Sequence, residues 1–206
     1  MNDTSRTVIL YFIRHGHADH NEAAERFGEY AYWDKLYTNA KLTEKGCLQA
    51  RNLNYFFKKN NPDIVYSSPL KRCLQTLDYA LCDYNGYVYV DDRLSERLGE
   101  HPCNKRAYKH EIYNHIDRKL DLTNVSDEIN WMDNRESNND LINRGRKWYY
   151  DMLENLKKNH EIKSVAIFSH YDFLHTMLNN NSLPFSNKIN GKPFDNCEIR
   201  EIILYL

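Results

Sequence analysis

Two histidines and two arginines follow short apolar runs that have the composition of buried strands. The residues, each with the run that precedes it, are Arg14 and His15 after 8–13, Arg72 after 63–67, and His170 after 165–168. An arginine fork donates two parallel hydrogen bonds to phosphate oxygens and keeps its charge when partly dehydrated. A neutral imidazole can attack phosphorus in line with the leaving oxygen. Together these residue types predict a pocket for a dianionic phosphate group.

The elements that must position these side chains alternate between strands and helices. The apolar runs are short and apolar on both alternating faces, which is typical of parallel strands buried on both sides. Thr43 is the expected N-cap of one helix, and Ser68-Pro69 predicts the start of another, with Arg72 in its first turn. Further predicted elements are strands at 87–90 and 198–206, the latter as an antiparallel edge, and helices at 141–156 and 173–178.

This alternation predicts an α/β fold: a three-layer sandwich with a mainly parallel central sheet and helices on both faces. Ligands of such sheets bind at the carboxyl ends of the strands, where the histidines and arginines stand. Residues 91–138 are polar and weakly periodic, with helical pieces around 108–116, and we interpret them as an insertion over the active site. The length of 206 residues and the lack of a linker favour a single domain, residues 1–206.

Composition narrows the classes of partner. A formal net charge of -1 gives no whole-chain basis for binding nucleic acid or an acidic membrane surface. The apolar run at 8–13 is too short for a signal peptide or a membrane span, so the cytoplasm is the expected location. Five scattered cysteines without a C-x-x-C pair fit reduced thiols rather than a disulfide framework or a zinc site: Cys47, Cys73, Cys82, Cys103 and Cys197.

Four segments resemble, in the same order, the motifs of the histidine phosphatase superfamily, which includes the cofactor-dependent phosphoglycerate mutases. They are 12–16 with Asn21 (R-H-G-x-x-x-x-N), 42–46 (L-T-x-x-G), 67–72 (S-S-P-x-x-R) and 165–170 (the second histidine at a strand end). The motifs lie between residues 7 and 174. The resemblance implies a phosphoglycerate mutase-like fold of the branch with the R-H-G motif.

The resemblance also implies roles for five residues. His15 is expected to become phosphorylated and to act as a catalytic residue together with His170. Arg14, Arg72 and His170 are expected to hold the phosphoryl oxygens, and Asn21 to add a polar contact. No metal and no cofactor are needed for this chemistry.

A general acid must protonate the leaving oxygen. The family's L-x-E pattern matches Leu94-Ser95-Glu96, which implies Glu96 as the acid, with Glu100 as its competitor. The expected activity is therefore hydrolysis of a small phosphate monoester through a phosphohistidine. A phosphoglycerate mutase is the alternative, because it shares the nucleophile, the arginines and the acid. The natural substrate and the oligomeric state stay open.

Residues 94–106 and 131–137 resemble a eukaryotic phosphoglycerate-mutase-like group that carries the pattern P-C-D-(K/R)-R. Asn104 replaces the aspartate of that pattern and removes a charge from the expected lid. Tyr171 follows the second histidine, where the family usually has a small residue, and is expected to narrow the pocket. A basic cluster could meet a second anionic group of the substrate or form a solvated face; its members are Lys105, Arg106, Lys109 and His110.

Three other functions fit these residues less well. Residues 15–20 match H-x-H-x-D-H, the first metal-ligand motif of metallo-β-lactamase-like zinc hydrolases. A zinc site would not explain Arg14, Arg72 or the S-S-P segment. Cysteine-dependent phosphatases need C-x-x-x-x-x-R, which the chain lacks. A catalytically silent binding module is disfavoured because the whole set of reactive residues is present.

Overall fold

Residues 6–179 and 192–206 are described by the structure, a computed structural model of the chain. Its strands are β1 (Thr7–Arg14), β2 (Ile64–Ser67), β3 (Val88–Asp91), β4 (Leu120–Asn124), β5 (Ser164–Ser169) and β6 (Ile199–Tyr205). Its helices are α1 (Asp19–Phe27), α2 (Glu44–Lys59), α3 (Lys71–Ala80), α4 (Lys109–Ile112), α5 (Asn138–Lys158) and α6 (Tyr171–Leu178). The strands form one sheet in the order β4-β3-β2-β5-β1-β6.

Neighbouring strands are parallel except for β6, which is antiparallel to β1. Strand β1 shows why the sheet is covered on both faces. Val8, Leu10 and Phe12 pack against residues of α5 and α6, whereas Tyr11 and Ile13 pack against residues of α2 and α3. Successive side chains of a strand point to opposite faces, so a strand between two helical layers must be apolar throughout. The three-layer α/β fold and the antiparallel edge are confirmed.

The helix starts follow local capping chemistry. The Thr43 side chain accepts a hydrogen bond from the Gly46 backbone N–H at 3.2 Å and caps α2, as predicted. The prediction that Ser68-Pro69 opens the next helix is wrong by two residues. The Ser68 hydroxyl accepts the Leu70 N–H at 3.2 Å and holds the chain in a turn, so α3 begins at Lys71. Arg72 nevertheless lies in the first turn of this helix.

Two elements were not predicted. Helix α1 is mostly polar and buries only His20 and Ala23, so its apolar spacing is too sparse to recognise. Strand β4 lies within residues 91–138 and pairs in parallel with β3, so that segment also extends the sheet. As an edge strand, β4 buries only Leu120 and Leu122, which leaves little sequence pattern. None of the helices that the structure describes is both long enough and apolar enough to cross a lipid bilayer.

Candidate active site

A cleft of about 370 Å³ opens beside the carboxyl ends of β1 and β2. It is lined by fifteen residues: Arg14, His15, His20, Asn21, Glu29, Tyr32, Trp33, Arg72, Glu96, His101, Cys103, Asn104, Arg135, Tyr171 and Asp172. Five of the six residues predicted for the site are among them, and the sixth, His170, contacts the site from behind. Strand β5 lies between β1 and β2 in the sheet, which is why residues so distant in sequence meet here.

His15 lies at the end of β1 and is held in one tautomer. Its Nδ1 is 2.7 Å from the carbonyl oxygen of Gly16. A carbonyl oxygen only accepts, so Nδ1 carries the proton and Nε2 of the neutral ring holds the lone pair. Burial lowers the pKa of His15 well below 6.5, and the charge of Arg72 lowers it further. The histidine is therefore uncharged near neutral pH, with Nε2 available as a nucleophile.

The loop that carries His15 is fixed by α2 and α3. The Gly16 N–H donates to the Thr76 hydroxyl at 2.9 Å, and the His17 N–H donates to the Gln49 side chain at 2.9 Å. A Cβ on Gly46 would lie 1.9 Å from the carbonyl oxygen of His17. The loop therefore needs glycine at the first turn of α2, which explains the glycine of the L-T-x-x-G segment.

Residues 192–198 hold the same loop from the other side. The Asn196 side chain donates to the carbonyl oxygen of His15 at 3.0 Å, and the Cys197 N–H donates to the carbonyl oxygen of Arg14 at 3.1 Å. The Arg14 guanidinium donates to the carbonyl oxygen of Phe194 at 2.6 Å. Sequence reasoning gave these residues no role in the site.

Arg14 and Arg72 line the cleft together with His15. Arg72 is almost completely buried and donates to the Cys103 carbonyl at 2.6 Å and to the Asn104 side chain at 2.9 Å. Arg14 lies over the Tyr171 ring, 5.3 Å from its centre. The Nε atoms of both arginines are buried without a protein hydrogen-bond partner. Both guanidinium groups thus keep donors for an anion in the cleft.

His170 lies directly behind His15, with the two ring centres 5.1 Å apart. It is fully buried and does not line the cleft. Its Nε2 is 2.8 Å from the Ser68 hydroxyl oxygen. Burial, with the charge of Arg72, lowers the pKa of His170 well below 6.5. Its contact with the phosphoryl oxygens stays a prediction.

Glu96 brings a carboxyl group into the cleft. Its oxygens accept backbone N–H groups of Arg97 at 2.9 Å, Phe173 at 3.1 Å and Asp172 at 3.2 Å. Burial raises the pKa of Glu96, and the charge of Asp172 raises it further, while the backbone donors act in the opposite direction. A carboxyl group with a raised pKa holds its proton to higher pH, as a general acid must.

A largely buried ion pair between Arg144 and Glu136 supports the backbone next to this carboxyl group. Arg144 of α5 donates to both oxygens of Glu136, at 2.7 and 2.8 Å. The same guanidinium donates to the carbonyl oxygens of Arg93 at 2.7 Å and Ser95 at 2.8 Å, next to Glu96. Glu100, the competing carboxyl group, is exposed and does not line the cleft. The geometry favours Glu96 over Glu100.

His20 is a cleft residue that sequence reasoning placed only in the zinc motif. It is 4% exposed, and its ring centre lies 5.9 Å from that of His15. Its Nδ1 is buried without a hydrogen-bond partner in the protein. Burial, followed by the charges of Arg72 and Arg14, lowers the pKa of His20 well below 6.5. The signal available in the sequence was its place directly before Asn21.

Asn21 and Asn104 both line the cleft but are also structural. The Asn21 side chain accepts the Ala18 N–H at 3.0 Å as part of the cap of α1. Besides accepting from Arg72, Asn104 donates to the carbonyl oxygen of Arg97 at 3.1 Å. The position where the related group has aspartate therefore contacts a cleft arginine directly.

None of the four residues of the basic cluster lines the cleft, and Arg106 does not belong to a solvated face. Arg106 is buried and donates to Asp92 at 2.7 Å, and Lys109 lies 3.4 Å from Asp127. Lys105 lies over the Trp131 ring, and His110 stacks on Tyr108. Arg106 could not be recognised as structural because its partner is 14 residues away, far beyond the three- or four-residue spacing of ion pairs along a helix.

The H-x-H-x-D-H segment does not converge on one point. His17 hydrogen-bonds with the Thr43 hydroxyl at 2.8 Å and with Glu25 at 3.2 Å, away from the cleft. Among residues 6–179 and 192–206, no three His, Cys, Asp or Glu side chains form a group that could hold a metal ion. The resemblance to a zinc motif is therefore one of sequence alone.

Solved structures share this fold. Phosphoglycerate mutase from Bacillus anthracis str. Sterne superposes with a TM-score of 0.67 at 18% identity, over 98% of this chain and 92% of that one. Mycobacterial glucosyl-3-phosphoglycerate phosphatase, solved with VO3, superposes with a TM-score of 0.61 at 18% identity, over 95% and 92%. At this identity the likeness concerns the fold alone.

Sequence relatives carry both mutase and phosphatase names. A "Probable phosphoglycerate mutase" of Arthroderma benhamiae is 27% identical over an alignment of 198 positions that covers 84% of this chain and 58% of the relative. A candidate "phosphoserine phosphatase 2" of Hydrogenobacter thermophilus is 28% identical over an alignment of 177 positions that covers 82% of this chain and 76% of the relative. The chain thus spans less than two thirds of the Arthroderma benhamiae relative.

The family model described as histidine phosphatase superfamily (branch 1) matches residues 10–205. The chain therefore belongs to the histidine phosphatase superfamily.

Proposed function

We propose that this protein hydrolyses a small phosphate monoester through a phosphohistidine on His15. The observation that carries the proposal is the fixed tautomer of His15, which leaves a neutral Nε2 between two arginines with free donors. Membership of the superfamily supports the same chemistry. The five cysteines, which form no disulfide in the described structure, fit the reducing cytoplasm, where we propose that the enzyme acts.

In the first step, Nε2 of His15 forms a bond to phosphorus while the bond from phosphorus to the leaving oxygen breaks. Glu96 gives its proton to that oxygen, so that a neutral alcohol departs. In the second step, water attacks the phosphorus, its proton goes to the Glu96 carboxylate, and the phosphorus–nitrogen bond breaks. Inorganic phosphate leaves, and neutral His15 is restored. Arg14 and Arg72, with His170 behind the nucleophile, stabilise the charge on the phosphoryl oxygens.

Phosphoglycerate mutase activity is the second candidate, because a curated relative and a structural neighbour carry that name. In a mutase the phosphohistidine transfers its phosphoryl group to an acceptor hydroxyl instead of to water. The two activities are separated by supplying 3-phosphoglycerate together with 2,3-bisphosphoglycerate. Under the proposed function, free phosphate appears faster than 2-phosphoglycerate; the reverse order would assign the mutase.

The proposed function predicts turnover of p-nitrophenyl phosphate that needs no added metal. The site's own groups supply the nucleophile, the acid and the positive charge, so a chelator is expected to leave the rate unchanged within twofold. The measurement is release of nitrophenol with and without EDTA. Loss of activity in EDTA that zinc restores would overturn the mechanism.

His20 is predicted to donate a hydrogen bond to the bound phosphoryl group, because its buried Nδ1 has no protein partner and its ring lies beside His15. A hydrogen bond to a charged group contributes about 1.5–3 kcal/mol. His20→Phe is therefore expected to weaken inhibition by orthovanadate by about tenfold or more, and His20→Gln by less. His110→Phe, at an exposed lid position, is the matched control. Unchanged vanadate affinity in His20→Phe would refute this role.

A further inference from the structure

The geometry points to a substrate class: phosphate monoesters whose leaving group is flat and uncharged, rather than esters that carry a carboxylate or a second phosphate. This inference rests on the proposed function, since it concerns the leaving-group end of the same cleft. That end is lined by cleft residues other than those proposed to bind the phosphate. They are Glu29, Tyr32, Trp33, His101, Arg135 and Asp172.

A series of rings leads from the nucleophile to the mouth of the cleft. The His20 ring lies 5.9 Å from that of His15 and 5.9 Å from that of Tyr32, measured between centres. Tyr32 stacks on His101 at 5.5 Å, and Trp33 meets His101 edge-on at 4.5 Å. Trp33 is 47% exposed, which marks the solvent end of the series. A flat leaving group attached to a phosphate on His15 would lie against these faces.

The cationic side chain at this end of the cleft already has hydrogen-bond and ion-pair partners within the protein. Of the cleft-lining residues that the structure describes, Arg135 is the only lysine or arginine besides the two that face the phosphate. It donates to Asp172 at 2.9 Å, and Arg97 donates to the same carboxylate oxygen at 3.2 Å. Arg135 also donates to Nδ1 of His101 at 2.8 Å. The Asp172 carboxylate is thus shared by Arg135 and Arg97, and Glu29 supplies the second negative charge at this end.

His101 does not supply a positive charge instead. Because Arg135 can only donate, Nδ1 of His101 must hold a lone pair, and the ring is neutral. Burial, with the charge of Arg135, lowers the pKa of His101 below 6.5. The basic cluster of the lid, which could have served a second anion, lies outside this cleft.

The Glu29 carboxylate opposes an anionic leaving group at this end of the cleft. Asp172 lines the wall but is paired with two arginines, whereas Glu29 is exposed and has no ion-pair partner among the described residues. A carboxylate or phosphate on the leaving group would lose water beside the Glu29 charge, and Arg135, the cation at this end, is already paired with Asp172. An uncharged ring loses little water and gains contact with the aromatic wall. The site therefore selects against phosphoglycerate-like esters by charge and in favour of aryl esters by shape.

The test compares kcat/KM for two esters of equal size, 3-carbamoylphenyl phosphate and 3-carboxyphenyl phosphate, with phenyl phosphate as reference. We expect the carbamoyl ester to be preferred over the carboxy ester by tenfold or more. Glu29→Gln is expected to narrow that ratio, because it removes the repelling charge. A ratio below tenfold, or a ratio that Glu29→Gln leaves unchanged, would overturn the inference.

Failure of the inference is distinguishable from failure of the proposed function. If both esters are hydrolysed by a route that His15→Ala abolishes, but without the expected preference, only the substrate class is wrong. If no ester is hydrolysed in a His15-dependent way, the proposed function itself is wrong. Glu29 is exposed, so its replacement does not endanger the fold.

Discussion

Replacement of His15 by alanine is expected to lower kcat for phosphate ester hydrolysis by at least about a thousandfold. The variant loses the atom that bonds to phosphorus, while the arginines that bind the ester remain. The KM is therefore expected to change much less than kcat. Steady-state kinetics with p-nitrophenyl phosphate measure both quantities.

The matched control is His160→Ala, which removes an exposed imidazole far along the chain and is expected to keep full activity. Orthovanadate binding to the His15 variant separates lost chemistry from lost folding, because the two arginines still hold the anion. A His15→Ala protein that binds vanadate and retains more than a tenth of the wild-type kcat would show that another group is the nucleophile.

Replacement of Glu96 by glutamine is expected to lower kcat/KM for alkyl phosphates by about 10²- to 10³-fold. An alkoxide is a poor leaving group, so its departure depends on the proton that Glu96 gives. Nitrophenolate leaves without a proton, and kcat/KM for p-nitrophenyl phosphate is expected to fall by less than tenfold. The measurement is kcat/KM for both esters in wild type and variant.

The pH dependence of the same variant tests the acid role independently. The acid works in its protonated form. Wild-type kcat/KM for an alkyl phosphate is therefore at its full value below the pKa of Glu96 and declines as the pH rises through that pKa. Burial and Asp172 raise that pKa above 4.5, so the decline lies at higher pH than for an ordinary glutamate. This alkaline decline of kcat/KM, the alkaline limb of the pH profile, is expected to be absent in Glu96→Gln.

Glu100→Gln is the matched control, since it changes the competing carboxyl group four residues away, at an exposed position. It is expected to keep the wild-type profile. Two results would contradict the assignment: an equal loss for alkyl and nitrophenyl esters in Glu96→Gln, or loss of the alkaline limb in Glu100→Gln instead.

The parts of the site that could be predicted from sequence are those tied to regular elements. Arg14 and His15 follow a strand that had to be apolar on both faces, and Arg72 lies in the first turn of a helix signalled by its apolar spacing. Thr43 could be identified as a cap because capping depends on one side chain and a backbone N–H three residues away. Each of these predictions used contacts within a few residues of the chain.

The parts that could not be predicted depend on contacts between distant residues. Asn196 reaches the carbonyl oxygen of His15 across 181 positions, and Arg144 holds the backbone near Glu96 across about 50. The hydrophobic periodicity of a sequence carries no information about such distant pairs. Arg135 and Asp172 likewise become partners only in the folded chain, so the charge balance of the outer cleft could not be foreseen from composition.

The most direct test of the account is to trap the covalent intermediate. Protein mixed with excess p-nitrophenyl phosphate is quenched in alkali, which preserves phosphohistidine, and is then digested and sequenced by mass spectrometry. Because Nδ1 of His15 is bonded to the Gly16 carbonyl, the account predicts one phosphoryl group on His15, attached through Nε2. A phosphoryl group on any other residue, or turnover with no phosphoprotein at any time after mixing, would contradict it.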